Sequence, residues 1–595
     1  MGQHFQEVRR MNAPAFPSGN TTAPSGTMAA PSGTNRQLTL AIGIQWLTAI
    51  ATLVLVLAPL GPILWQSLLD RPLYQPNAVL SFDNFARLLS DAGFLRAVAT
   101  SFELAFAATA IACATGVGLA LFLERTDLPA RGAFRLFALA PMYMSQLVNA
   151  FAWYLIYGPA GYLTLFGEML VGVPPWDMYG IGGMAIVAGT SMTPLVYLFC
   201  SSSARMADAT LEDAARSVGA GPLRVLWSVS LPLMRPSIIY AALLVFIGTL
   251  ETLAVPLVFG RPVGLESFTT FLFSRGLGAI TPDYGLVGAA AVLLLVLVAV
   301  LLAVQSVLLK GAGRFVTVRG KAQRPRRIAL GALRRPVATV FWVYFVLTLM
   351  LPLLAIIARS FTTFLTPLLS PLKVLTTDNY ALVLGHPAYL RSITNSVIVA
   401  SVGALVATLG IAVIALVAKR SAFRFAKGLE YLAMFPRAMP GIVAGIGFFW
   451  AMLLLPFAHW LQGTIWILMI AFAMRGIPTA YGAIAAALVQ VGTELDQSAR
   501  SVGAGWWKTC TAIVLPLIRP ALFSAFTLLF LGFLKEYASA VFLYAPGSEI
   551  IGTTMLSLWS NGDTGAVAAL SVIQIAITGV FVSLAHFVTR TNRDV

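Results

Sequence analysis

Apolar residues run along this chain in long blocks separated by short polar stretches. A helix that crosses the hydrocarbon of a bilayer needs about 20 mostly apolar residues. Blocks of that length lie near 38–67, 97–123, 134–158, 180–203, 237–260 and 284–309, and again near 336–359, 392–418, 429–455, 464–489, 520–545 and 565–589. The pattern predicts an all-α integral membrane protein with twelve transmembrane helices, because a helix satisfies its own backbone hydrogen bonds in lipid.

The polar stretches orient these spans. Between 310 and 335 stand Lys310, Arg314, Arg319, Lys321, Arg324, Arg326, Arg327, Arg334 and Arg335, with no acid among them. Short loops rich in Lys and Arg stay on the cytoplasmic side. With twelve spans both termini are then cytoplasmic, as are Arg125, Arg131 and Arg135 in one loop and Lys419, Arg420, Arg424 and Lys427 in another. The opposite loops carry acids, with Glu168 and Asp177 in one and Glu549 and Asp563 in another.

The two sets of six spans are copies. Asp83-Asn84-Phe85 returns as Asp378-Asn379-Tyr380, and Pro141 returns as Pro436, both 295 residues later (378 against 83). Ala215-Arg216-Ser217-Val218-Gly219-Ala220-Gly221 returns as Ala499-Arg500-Ser501-Val502-Gly503-Ala504-Gly505, 284 residues later (503 against 219). Each half holds an even number of spans, so the repeat is parallel and the halves pair about an axis along the membrane normal, with a path between them. The expected organisation is a disordered cytoplasmic tail at 1–37, a first half at 38–309, a basic linker at 310–335 and a second half at 336–595.

Composition agrees and excludes other classes. The chain is 58% hydrophobic and 10% charged, against about 25% charged in soluble domains. Its net charge of +16 sits in the loops between spans, which is topology and not a nucleic-acid footprint. Cys113, Cys200 and Cys510 are far apart, and the four histidines are scattered, so neither a disulfide framework nor a metal site is expected. No G-x-x-x-x-G-K-[ST] loop occurs. The chain is therefore expected to bind no nucleotide or other cofactor and to catalyse no reaction.

Two cytoplasmic stretches, 206–236 and 492–520, are too long for plain connectors. One reads Leu211-Glu212-Asp213-Ala214-Ala215 up to Gly219, then Leu231-Pro232; the other reads Leu495-Asp496-Gln497-Ser498-Ala499 up to Gly503, then Leu515-Pro516. Each predicts a short helix with acids at its positive end, a small face, and a glycine where the backbone turns. This is the form of a docking element.

These stretches resemble the EAA loop of the permeases of binding-protein-dependent ABC importers, E-A-A-x3-G-x9-I-x-L-P. Gly219 and Gly503 are each followed by nine residues and then Val or Ile, any residue, Leu and Pro. The resemblance covers most of 38–590 and implies the type I ABC importer permease fold. It implies coupling to a separate ATPase through Glu212, Asp213, Ala214, Ala215, Gly219, Leu231 and Pro232, and through Asp496, Ala499, Gly503, Leu515 and Pro516. The pattern's Glu is Asp213 in the first copy and Gln497 in the second, where Asp496 stands one residue earlier. Two copies of the ATPase, a periplasmic substrate-binding protein and a place in the bacterial inner membrane are also implied.

Charges inside spans are functional candidates. Glu251, Arg437, Arg475, Lys535 and Glu536 are the candidates for the translocation path, with Glu103 a further charge in a span, and Glu251 aligns with Lys535 at the 284 offset. Arg437, Arg475 and Lys535 would suit an anion or an anion-complexed metal. Fused twin permeases of this size resemble the ferric-iron group, supported by Pro436-Arg437-Ala438-Met439-Pro440-Gly441 and by the D-N-[FY] element. Ferric iron is thus the expected cargo, with thiamine, polyamine or aminoethylphosphonate on the same plan. A secondary transporter driven by an ion gradient shares the repeats and the buried charges but gives no reason for two EAA loops.

Overall fold

A computed structural model describes residues 32–206, 209–309, 328–492 and 494–591. The residues 1–31 of the expected tail and 310–327 of the expected linker lie outside them. The described part is helical. The first half contains α1 (Ser32–Leu57), α2 (Leu60–Ser67), α3 (Ala92–Arg125), α4 (Arg131–Leu139), α5 (Gln146–Tyr157), α6 (Ile181–Met206), α7 (Ala209–Ser217), α8 (Arg235–Leu250) and α9 (Tyr284–Leu309). The second contains α10 (Arg334–Phe345), α11 (Leu351–Ser360), α12 (Pro387–Ile398), α13 (Ala404–Arg420), α14 (Ala426–Met434), α15 (Gly441–Leu454), α16 (Ile465–Gln490), α17 (Glu494–Ser501), α18 (Arg519–Lys535) and α19 (Thr564–Thr591). Helix therefore already begins at Ser32, inside the tail expected at 1–37, and the linker end Ile328–Leu330 is ordered against Thr126 and Asp127.

Eight helices among the described residues are long and apolar enough to cross a membrane, or up to eleven if each bent pair is one span. The departure from twelve uninterrupted spans has a local cause. The blocks expected near 134–158 and 429–455 tighten at Ala140–Tyr143 and Phe435–Ala438 and break just after, the second with a bend of 108° at Met439–Pro440. Pro141 and Pro436 begin these breaks, and proline cannot donate the backbone bond that would continue a helix. The segments ahead of α8 and α18 bend by 70° and 76°. There the backbone widens into a π turn at Leu226–Ser230 and Cys510–Val514, just before Pro232 and Pro516, because each proline leaves a carbonyl one turn back without its donor.

The repeated Asp-Asn-aromatic element is a clamp. Asn84 donates to the carbonyls of Ser67 and Leu69 (3.1 and 2.7 Å), and Asn379 to those of Ser360 and Thr362 (both 3.0 Å). Each asparagine so satisfies the open end of its half's first span. A Cβ on Gly285 or Gly565 would collide with the same side chains, at 2.4 and 2.2 Å; the last span of each half packs there only through glycine.

The first span of each half crosses onto the other half. Trp46 of α1 meets Phe423 and Phe425, edge to face at 5.4 and 5.6 Å between ring centres. α2 lies against α15 so closely that a Cβ on Gly447 would stand 2.4 Å from the Pro59 carbonyl oxygen. Reciprocally, Phe345 of α10 stacks on Phe134, and Tyr157 donates to the Leu347 carbonyl at 2.7 Å. The interface between the halves therefore contains whole exchanged spans, and one contiguous apolar core runs through both.

Candidate functional site

Two features are built from the candidate residues: a pair of anchored short helices and a charged cavity between the halves.

The helices α7 and α17 are each fixed by one buried acid. Glu212 pairs with Arg125, whose side chain is fully buried at the end of α3; the Arg125 Nε donates to Glu212 Oε1 at 2.9 Å, and Ser230 donates to the same oxygen at 2.7 Å. Arg125 also donates to the Ala204 carbonyl at 3.2 Å. In the second half Asp496 receives Arg420 Nη1 at 3.0 Å, while Arg420 Nη2 reaches the carbonyls of Leu488 and Val491 at the end of α16. Trp506 donates to the Arg420 carbonyl at 2.8 Å. One guanidinium thus ties three segments of the chain together in each half.

This arrangement shows which acid is the structural one. Glu212 and Asp496 are equivalent under the 284 offset and both are buried, whereas Asp213 is exposed and, among the described residues, approaches Arg216 at 3.9 Å. Gln497 is exposed as well. The sequence reading did not single out Arg125 or Arg420, which it took as loop charges marking the cytoplasmic side. Their equivalence at the 295 offset, each as the last residue of its span, was the available signal.

Gly219 and Gly503 end the two helices with φ of +84° and +80°. At each, the glycine N–H donates three residues back and the next alanine N–H five residues back: Gly219 to Arg216 and Ala220 to Ala215, Gly503 to Arg500 and Ala504 to Ala499. This double bond pattern needs a left-handed residue, which only glycine supplies without cost. The face left outward matches in both copies: Leu211 and Leu495 are 45% and 44% exposed, Val218 and Val502 84% and 83%. Ala214, Ser217, Ser498 and Ser501 are exposed between them. Ala215, Leu231, Pro232, Leu515 and Pro516 are half-buried and Ala499 is buried, so these residues pack the element against its own half. Each half therefore presents a small, partly apolar knob on a rigid stem.

The cavity has a volume of about 300 Å³ and is bounded by both halves: Ser145, Gln146 and Glu251 from the first, Gly441, Arg475, Lys535 and Glu536 from the second. Four helix ends meet on it. α5 and α15 begin there, and α8 and α18 stop there. Arg475 and Glu536 form an ion pair within the second half, and Glu536 also accepts the Ser539 N–H at 3.2 Å. A Cβ on Gly441 would stand 2.9 Å from Arg475 Nη1. Lys535 donates across the halves to the Met142 carbonyl.

The candidates divide accordingly. Glu251, Arg475, Lys535 and Glu536 share the cavity; Arg437 does not line it and its guanidinium lies 3.4 Å from the Tyr240 hydroxyl. Glu103 is exposed on α3, away from the cavity. Of the two cations on the cavity wall, Arg475 is paired with a carboxylate, and Lys535 keeps its charge and further N–H donors beside its one bond to a carbonyl. Among the described residues no three His, Cys, Asp or Glu side chains gather into a group able to hold a metal.

Comparison with known proteins bears on both features. The family described as "Binding-protein-dependent transport system inner membrane component" matches twice, over residues 112–313 and 410–593. A ferric transport system permease protein of Actinobacillus pleuropneumoniae is 27% identical over 472 residues, 78% of this chain and 67% of that protein. An Fe(3+)-transport system permease protein of Haemophilus influenzae is 22% identical over 470 residues, 77% of this chain and 82% of that one. A Salmonella paratyphi A permease protein assigned to 2-aminoethylphosphonate transport is 27% identical over 152 residues, 26% of this chain and 57% of that one.

Proposed function

We propose, from the premise that the chain belongs to the family of binding-protein-dependent transport system inner membrane components and is a multi-pass permease subunit of an ABC importer, that α7 and α17 are the levers through which an ATPase drives it. The observation that carries this reading is the pair of equivalent knobs, each held by a buried acid–arginine pair to the end of a span. A lever must be exposed where it is pushed and rigid where it transmits. The exposed Leu211 and Val218, and Leu495 and Val502, meet the first need; the anchors Arg125 and Arg420 meet the second.

Two levers require two ATPase copies, one on each half. The cavity between the halves is the translocation path, with Glu251, Arg475, Lys535 and Glu536 on its wall. The chain supplies no nucleotide site of its own, its termini face the cytoplasm, and a periplasmic protein delivers cargo from the other side. Ferric iron is the cargo this reading favours, on the names of the relatives that match most of the chain.

The test is co-purification with the ATPase. The wild-type chain, tagged and taken from its membrane in mild detergent, retains two ATPase copies per chain. Gly219→Ala and Gly503→Ala each force a side chain into a left-handed residue, at a cost of ~1–2 kcal/mol. No neighbour lies within 4 Å of either added Cβ, so the strain falls on the helix end alone. Both variants insert normally, and each lowers cargo-stimulated ATP hydrolysis several-fold. Unchanged stimulation in both would rule out these helices as levers.

A further inference from the structure

The two helix ends that stop at the cavity are related by the 284 offset but carry opposite charge. α18 ends on Lys535; α8 ends on Leu250, and Glu251 follows it. The last carbonyls of a helix give that end partial negative charge, which a cation relieves and a carboxylate increases. Lys535 provides the relief from within the chain and reaches on to the Met142 carbonyl. Glu251 does the opposite. Its carboxylate adds negative charge to an already negative helix end, it lines the cavity, and among the described residues that carboxylate makes no hydrogen bond or ion pair. Of the cations around it, Arg475 is paired with Glu536, Lys535 shares the cavity and is bonded to the Met142 carbonyl, and Arg437 lies off the cavity wall beside Tyr240.

We infer that the end of α8 at Glu251 is a transient cation site, where the positively charged part of the cargo pauses between the halves. This rests on the cavity being the translocation path. A carboxylate inside a membrane protein is kept for a partner or a function, and the repeat shows what is missing: the second half carries its own ammonium at this place and the first half leaves it open. A single carboxylate also suits cargo that must leave again, since conduction needs binding weak enough for release. The fitting class is a small cation, either a metal ion still holding most of its other ligands or a protonated amine.

The test is equilibrium binding to the purified full chain in lipid nanodiscs, with Ga³⁺ supplied as its nitrilotriacetate complex and with putrescine as probes. At least one of the two binds the wild-type chain, and Glu251→Gln weakens that binding tenfold or more. Glu251→Asp retains most of it. Glu251→Lys copies the second half's residue, so it elutes as the same monodisperse species and binds neither probe. Ga³⁺ binding that depends on Glu251 supports the site and ferric cargo together. Putrescine binding that depends on Glu251, with none for Ga³⁺, supports the site and removes the ferric reading. Equal affinity in wild type and Glu251→Gln, or no binding of either probe to the wild type, overturns the site, and iron uptake by the complete importer then decides the ferric reading by itself.

Discussion

Glu212→Ala costs the anchoring of α7 ~3–5 kcal/mol, because it removes the carboxylate to which the fully buried Arg125 Nε donates. The loss is larger than the pair's net worth, since removing one partner leaves the other charge desolvated. It spreads beyond the pair: Ser230 loses its acceptor, and α7 loses a buried charge-assisted contact with the end of α3. Amide exchange over 209–221 rises by two to three orders of magnitude, and ATP-driven uptake falls to background while the spans stay inserted. Arg125→Met combined with Glu212→Leu removes both charges and recovers most of the protection. If Glu212→Ala exchanges like the wild type, the pair is not the anchor. Asp213→Ala is the control, since an exposed acid 3.9 Å from Arg216 contributes little.

Gly447→Val prevents the halves from closing on each other. Its Cβ would lie 2.4 Å from the Pro59 carbonyl and 2.7 Å from Ile63 Cδ1, and backbone cannot yield as a side-chain tip can. Overpacking of this kind costs ~1–3 kcal/mol where side chains adjust, and more where a whole span must be displaced. The yield of monodisperse protein after detergent extraction drops several-fold. Gly410→Val, on an exposed face of α13 with nothing within 4 Å, leaves that yield unchanged. Equal yields from the two variants would show that α2 tolerates movement away from α15.

Much of this architecture is legible in the residues. Block length finds most of the long apolar helices, and the two offsets find the halves, the pair of short helices α7 and α17 and the opposition of Glu251 to Lys535. What escapes is whatever depends on which face a residue takes. Arg125 and Glu212 are 87 positions apart, and nothing local distinguishes a loop arginine that marks topology from one that is buried under a helix. The EAA pattern drew attention to Asp213, one residue from the acid that is buried. The blocks near 134–158 and 429–455 read as unbroken spans although they contain Pro141 and Pro436, and a composition pattern cannot state a bend angle or show that the interrupted helices open on one cavity. The pairing of Arg475 with Glu536 was likewise hidden, because three cations in spans look alike until their partners are seen.

The exchanged first spans also set a schedule for biosynthesis. α2 leaves the ribosome well before its seat on α15 exists, with about 380 residues still to be made; at ~5–20 residues per second this is tens of seconds. During that interval α1 and α2 must wait in lipid beside an unfinished neighbour. α10 has no such delay, because its partners Phe134 and Tyr157 are already in place when it emerges. The second half is thus guided by the first during synthesis, while the first half completes its packing only once α15 has been made. A truncated chain that stops before α15 should be a substrate for membrane quality control, however well its own spans have inserted.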